Sequence, residues 1–257
     1  MTNLTKRVPS LRLILGLVAA ALFLAGWQLT ARLGGLPSFI LPSPADVWTR
    51  FLLVLVDGSL LSHTLVTLTE ALTGLLAGAV FATLMGYLIA RSRVLENLLS
   101  PYLVASQAIP LVAIAPLLVI WFGPGMFSKF LICALIVFFP VLVNTVVGVR
   151  AVPAALHDLM TSLRASRAQS LLKLEIPAAL PVFLGGLRIG ATLSVIGAVV
   201  GELVGSDRGL GVLVNVGRGQ YDTALVFVAV FALIALALTL YGIVALAEKK
   251  LLVWQDR

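Results

Sequence analysis

The feature that most constrains this chain is a series of uninterrupted apolar runs, each about twenty residues long, in which polar and apolar positions do not alternate. They extend from Leu13 to Leu29, Thr64 to Ala90, Leu98 to Phe122, Lys129 to Val149, Val182 to Val204 and Thr223 to Ala247. Lipid offers no partner to backbone N–H and C=O groups, so spanning segments must be helices or a closed barrel. Runs without a period of two favour helices. With 60% hydrophobic and 11% charged residues, the chain is not an ordinary soluble domain. The expected fold class is therefore an all-α integral membrane protein with six transmembrane helices. Cys133 is the single cysteine, which excludes an internal disulfide and a cysteine-built metal site. The net charge of +7 comes without an aromatic-basic cluster, so nucleic acid is not an expected partner.

The first run follows Lys6, Arg7 and Arg12 and could be read as a signal peptide. Its length and the membrane-sized runs after it favour an uncleaved span. Gly34 to Leu61 is a long non-spanning connection in which Ala45 to Val56 can form a short interfacial helix after Leu41-Pro42-Ser43-Pro44. The third run holds Pro101, Pro110 and Pro116 and should be kinked. With the N-terminus inside, thirteen of the 18 basic residues fall on inner segments, among them Arg91, Arg93, Arg150, Arg164, Arg167, Lys173, Lys249 and Lys250. Arg32, Arg50, Lys129, Arg208 and Arg218 are left outside. This positive-inside asymmetry puts both termini and the segment around Asp158 in the cytoplasm. The expected partition is 1–61 for the tail, first span and outer connection, 62–250 for the transmembrane domain with a cytoplasmic loop at 151–181, and 251–257 for a cytoplasmic tail.

Asp158 to Pro181 is the longest mid-chain stretch that lipid would not hold comfortably. It carries Asp158, Arg164, Arg167, Lys173 and Glu175, with leucines at helical spacing (Leu159 and Leu163, then Leu171, Leu172 and Leu174). It ends on Ile176-Pro177-Ala178-Ala179-Leu180-Pro181, where two prolines should set a stiff re-entry into the bilayer. Leu163-x-Ala165-Ser166, Ile176-Pro177-x-x-Leu180-Pro181 and Gly186-Leu187-Arg188 together resemble the cytoplasmic coupling loop of ABC importer permeases. Asp158-Leu159-Met160 stands where that family has Glu-Ala-Ala, and Arg164 stands at its usual glycine. The resemblance runs from about Pro42 to the C-terminus and implies the type I ABC importer permease fold in the inner membrane.

It further implies that Asp158, Leu159, Met160, Leu163, Arg164, Ala165, Ser166, Arg167, Pro177 and Pro181 couple the chain to an ABC ATPase dimer. ATP and Mg would be bound by that partner, with no cofactor in this chain. A second permease copy, a solute-binding protein and membrane lipid complete the implied assembly. An amphipathic helix laying Leu159, Met160 and Leu163 into a groove on the ATPase is the physical form that coupling would take.

No catalytic constellation is present. G-x-x-x-x-G-K-[ST] and H-E-x-x-H are absent, and His63 and His157 have no ligand spacing between them. Polar residues inside spans are costly and so invite a function. Glu70 and Gln107 are the leading candidates to line a translocation pathway. Asn144 fits an interhelical hydrogen bond better, and for Glu202 a gate or structural role competes evenly with solute binding. Gly74-x-x-x-Gly78, Gly186-x-x-x-Gly190, Gly197-x-x-x-Gly201 and Gly201-x-x-x-Gly205 permit close helix packing, within one subunit more readily than at a dimer seam. With no intramembrane Arg or Lys expected on the outer half, an anionic solute lacks a counter-charge. The resemblance then favours a neutral nitrogen heterocycle, a thiamine-precursor pyrimidine or riboflavin, over alkylsulfonate, taurine or nitrate. An ion-coupled secondary transporter is the competing class, with Glu70 and Glu202 as its only candidate intramembrane acids.

Overall fold

In a computed structural model of the chain, the backbone is described for residues 9–35, 37–107 and 109–254, and side chains within these ranges from residue 14 onward apart from 106 and 107. Regular structure among the described residues is entirely helical. The elements are α1 Pro9–Leu33, α2 Pro44–Val56, α3 Ser59–Arg91, α4 Arg93–Gln107, α5 Leu111–Phe122, α6 Met126–Arg150, α7 Ala154–Ser162, α8 Arg167–Ser170, a π-turn at Leu171–Glu175, α9 Ile176–Gly205, α10 Leu210–Gly219 and α11 Thr223–Leu251. Five helical stretches are long and apolar enough to cross a membrane: Ile14–Leu33, Ser59–Arg91, Met126–Arg150, Arg167–Gly205 and Thr223–Leu251. The chain is a multi-pass membrane protein.

The chain divides into two compact units, residues 1–60 with 213–230 and residues 61–212 with 231–257. In the first, Trp27 of α1 stacks on Phe227 at 5.2 Å and donates its indole N–H to the Pro42 carbonyl at 3.0 Å. Ser43 and Asp46 form a reciprocal capping box that starts α2, so the Pro-Ser-Pro stretch ends in a helix start. Arg50 pairs with Asp222 at 2.7 Å.

The second unit is organised on α6. Cys133 has no exposed surface because glycines crowd it from both sides. A Cβ at Gly74 of α3 would stand 2.1 Å from the Cys133 Cβ, and one at Gly197 of α9 would stand 2.9 Å from its Cα. Only glycine lets both backbones come so close. Gly78, Gly186, Gly190 and Gly201 also face α6, so these small-residue stripes serve packing within one subunit.

Two local expectations are corrected. The third apolar run is two helices, since α4 ends at Gln107 and α5 starts at Leu111. Pro110 lacks an N–H and its ring drives Ile109 out of the α region, whereas Pro101 and Pro116 stay inside their helices. Pro177 and Pro181 do not bound the following span either. Helix continues from Arg167 through Gly205, a stretch of 39 residues. The π-turn explains this: the Ile176 N–H bonds to the Leu171 carbonyl, and the widened coil immediately before Pro177 makes room for its ring.

Candidate functional site

The stretch expected to couple the chain to a motor is built from two helices and a tight turn. Pro153 opens α7, whose residues are all unburied. Leu156, Leu159 and Leu163 fall on one face, and Leu159 and Leu163 are 53% and 68% exposed. The helix ends in a Schellman turn. Ala165 N–H bonds to the Met160 carbonyl at 3.0 Å and Arg164 N–H to that of Thr161 at 2.9 Å. This turn needs a left-handed residue, and Arg164 supplies it with φ 54°. Glycine adopts that conformation freely; arginine does so at a cost of roughly 1 kcal/mol. The side chain occupying the position normally taken by glycine is thus held out from the turn by backbone geometry. Ser166 then starts α8 through a capping box with Gln169, its hydroxyl 3.3 Å from the Gln169 nitrogen. Asp158, Leu159, Met160 and Leu163 lie on α7 or its cap, Arg164, Ala165 and Ser166 form the turn, and Arg167 opens the long helix that carries Pro177 and Pro181.

Beside this segment, Glu175 is 1% exposed and accepts from Arg91 of α3 at 2.7 Å. Arg150 pairs with Glu96 of α4, and Arg188 with Glu248 at 3.0 Å. The Arg150 guanidinium holds the Glu96 carboxyl below the usual carboxylate range by hydrogen bonding.

Glu70 and Glu202 are brought together, with their carboxyl groups adjoining in the interior. Both have no exposed surface. Lys129, in the first turn of α6, donates to Glu70 Oε1 at 2.9 Å and to Ser206 Oγ at 2.5 Å. Glu202 accepts from Thr67 Oγ at 2.6 Å and from the Gly211 N–H at 2.6 Å. The Leu210 N–H donates to Thr67 Oγ at 2.8 Å, and Nδ1 of His63 lies 2.9 Å from the Gly209 nitrogen. Gly209 has φ 122°, and a Cβ there would stand 2.1 Å from a Glu202 oxygen. The loop can close over the carboxylate only with glycine at this position.

The expected absence of an intramembrane base is corrected here. Lys129 is buried, and Glu70 compensates its charge in a low-dielectric interior. Lys129, Thr67 and Ser206 are members of this cluster that sequence pattern alone does not mark. The available signal was that two acids within apolar runs require a nearby base, and Lys129 heads the next apolar run but one after Glu70.

Asn144 lies apart from these carboxyls. Its amide donates to the Pro140 carbonyl at 2.8 Å. It lines a groove of about 510 Å³ together with Ile109, Val112, Phe139, Leu193 and Ile196 of α5, α6, α9 and the α4–α5 break. The Gln107 side chain lies outside the described residues. Among the described residues, no group of three His, Cys, Asp or Glu side chains could hold a metal.

The described residues thus form a helical multi-pass protein whose α3 and α9 pack on α6 through glycine faces and whose mid-chain helix α7 has no buried residue. Residues 74–253 match the family described as binding-protein-dependent transport system inner membrane component, and the chain belongs to it. It is 47% identical over 260 residues to the riboflavin transport system permease protein RibX of Chloroflexus aurantiacus, covering 99% of this chain and 97% of the relative. It is 35% identical over 231 residues to the formylaminopyrimidine transport permease protein ThiX of Halalkalibacterium halodurans, covering 90% and 92%. It is 34% identical over 253 residues to the taurine transport system permease protein TauC of Escherichia coli, covering 95% and 91%. The chain is an ABC importer permease subunit, a transport component without enzymatic activity of its own.

Proposed function

We propose that this subunit passes a neutral nitrogen heterocycle, riboflavin or a thiamine-precursor pyrimidine, across the inner membrane on the power of a separate ATPase. The observation that carries the mechanical part is α7: an unburied helix with leucines on one face, joined by a rigid turn to the helix that becomes α9. An ATPase groove covering Leu156, Leu159 and Leu163 would bury apolar surface worth roughly 1.5–3 kcal/mol per leucine. Arg164 and Arg167 then meet acidic groups at its rim. Two permease copies and two ATPases with bound ATP and Mg form the working assembly, and a binding protein delivers the solute from outside. In this reading residues 151–181 and both termini are cytoplasmic, which the basic residues support. Residues 1–61 and 251–257 flank the transmembrane domain at 62–250.

The coupling assignment is tested by Leu163→Asp and Arg164→Glu in the complete transporter. Each should keep the permease in the membrane and separate ATP hydrolysis from uptake. Unchanged transport in both variants would overturn the assignment.

The solute reading rests on the groove beside Asn144, which has no charged side chain in its wall among the described residues, and on Lys129 being neutralised by Glu70. Asn144 is the pathway residue this geometry favours, and Gln107 closes α4 at the α4–α5 break. Glu70 and Glu202 act by holding α3, α6, α9 and the 206–211 loop in register. The names of the relatives at 47% and 35% identity support a heterocycle, and the 34% taurine relative keeps the sulfonate alternative measurable. Uptake and binding assays with the cognate binding protein decide between them: tight binding of an alkylsulfonate and none of riboflavin or a pyrimidine would sink the heterocycle reading.

A further inference from the structure

A groove of about 340 Å³ runs between α3, α6 and α9, walled by Thr83, Leu84, Val149, Ile176, Leu180 and Phe183. Adjoining it is a larger opening of about 650 Å³ lined by Arg91, His157, Thr161, Arg167 and Ser170. Tyr87 and Leu171 belong to both walls, so the apolar groove and the polar opening are continuous. The two halves differ in chemistry. The groove is lined by hydrocarbon apart from Thr83, Thr145, the Tyr87 ring and one carboxyl, that of Glu175. The opening carries two guanidinium groups and an imidazole. Arg91 is committed to Glu175 at 2.7 Å, whereas Arg167 has no ion pair among the described residues and is exposed. Glu175 Oε2 is buried without a hydrogen-bond partner among the described residues, beside the junction of the two spaces.

An apolar slot that opens into a basic, hydrogen-bonding mouth fits an amphiphile with an anionic head. The orphan carboxylate oxygen calls in addition for a hydroxyl donor on that head. We propose that this place binds an anionic, hydroxyl-bearing phospholipid of the inner leaflet, with phosphatidylglycerol as its simplest form. Its phosphate meets the outer edge of Arg91 and Arg167, which then turns to the lipid and leaves Arg164 as the contact at the ATPase rim. A headgroup hydroxyl donates to Glu175, and one acyl chain lies in the groove past Leu84 and Phe183. Basic pockets between spanning helices at the cytoplasmic boundary recognise anionic headgroups by this combination of charge and hydrogen bonding. The site touches both the end of α3 and the start of the long helix, so its lipid would fasten the coupling segment to the bundle.

The inference rests on the cytoplasmic placement of residues 151–181. The experiment is therefore one in which that placement is not read. The complete transporter, permease with its ATPase, is placed in nanodiscs of phosphatidylcholine, and retained lipid is counted by native mass spectrometry as phosphatidylglycerol of the same chain length is titrated in. Phosphatidylglycerol should be retained over phosphatidylcholine and over zwitterionic phosphatidylethanolamine. Arg167→Gln should reduce that preference about fivefold. Thr83→Phe, which fills the groove, should reduce retention of both lipids. Equal retention of all three headgroups, or a preference that survives Arg167→Gln, would overturn the proposal. So would retention by the isolated permease that disappears in the complete transporter, because the ATPase then fills the opening. None of these outcomes bears on whether Leu163 and Arg164 couple hydrolysis to uptake.

Discussion

Two sets of ion pairs fasten α3 to its neighbours, and they are built on opposite principles. Toward the start of α3, Glu70 and Lys129 are sealed, with side chains 1% and 7% exposed, and Thr67, Ser206, Glu202 and the amides of 210 and 211 complete the cluster. At the end of α3, Arg91 meets Glu175 with side chains 44% and 1% exposed, beside an opening of about 650 Å³. In the sealed cluster neither charge can be rehydrated without moving helices, so the pair specifies one arrangement of α3, α6 and α9. At the open end the guanidinium reaches water, and the pair can exchange partners at small cost. The same two charge types thus make a lock at one place and a detachable contact at the other.

The contrast fails first if Lys129 proves dispensable. Lys129→Met leaves two adjoining buried carboxyls without their base and should cost about 3–5 kcal/mol of subunit stability. Thermal melts of the detergent-purified subunit would show this, and Lys129→Met with Glu70→Gln should recover most of the loss. Arg91→Gln should be milder, at about 1–2 kcal/mol, because Arg91 is 44% exposed and Glu175 loses its partner beside an opening instead of inside a closed cluster. A loss as large as that of Lys129→Met would erase the distinction. Arg164→Gly relieves the left-handed arginine and should raise stability by up to roughly 1 kcal/mol. Slower amide exchange at Ala165 would report it, and continued coupling in that variant would assign the role of residue 164 to the turn and not to its charge. The smallest effect concerns Glu96 and Arg150. The Glu96 pKa is depressed in the folded protein, so its contribution is present above the unfolded carboxylate pKa and vanishes as pH falls through the folded one. The melting difference between wild type and Glu96→Gln should accordingly shrink on acidification from neutral pH, and a constant difference would remove this pair from the account.

Much of the architecture was legible because it depends on one-dimensional patterns. Apolar runs placed the long helices, and the small-residue stripes of α3 and α9 proved to be the faces that meet α6. The α7 leucines also lie at a spacing that periodicity reveals. What could not be read depends on three-dimensional juxtaposition or on local competition. The prolines at 101, 110 and 116 look alike in sequence, yet only Pro110 stands at a break. Pro177 looked like a boundary, but the preceding turn widened to accept it. Lys129 reads in sequence as one more basic residue at the end of a span, and only the rotation of α6 aims its side chain at Glu70, 59 positions away in sequence. The rotation of α6 is set by packing about Cys133, Gly74 and Gly197, which no local window contains.

The unbroken stretch from Arg167 to Gly205 has a mechanical consequence. At 1.5 Å per residue, its 39 residues make a rod about 58 Å long. One tip begins beside the Schellman turn, and the other carries Glu202 into the sealed cluster. Tilting such a rod by about 5° about one tip would sweep the opposite tip by about 5 Å, more than the length of a hydrogen bond. Only the π-turn at Leu171–Glu175 and the prolines at 177 and 181 interrupt this lever, so a nudge at residue 167 that they do not absorb must be answered at the opposite face either by rocking of the bundle or by rupture of the contacts that hold Glu202.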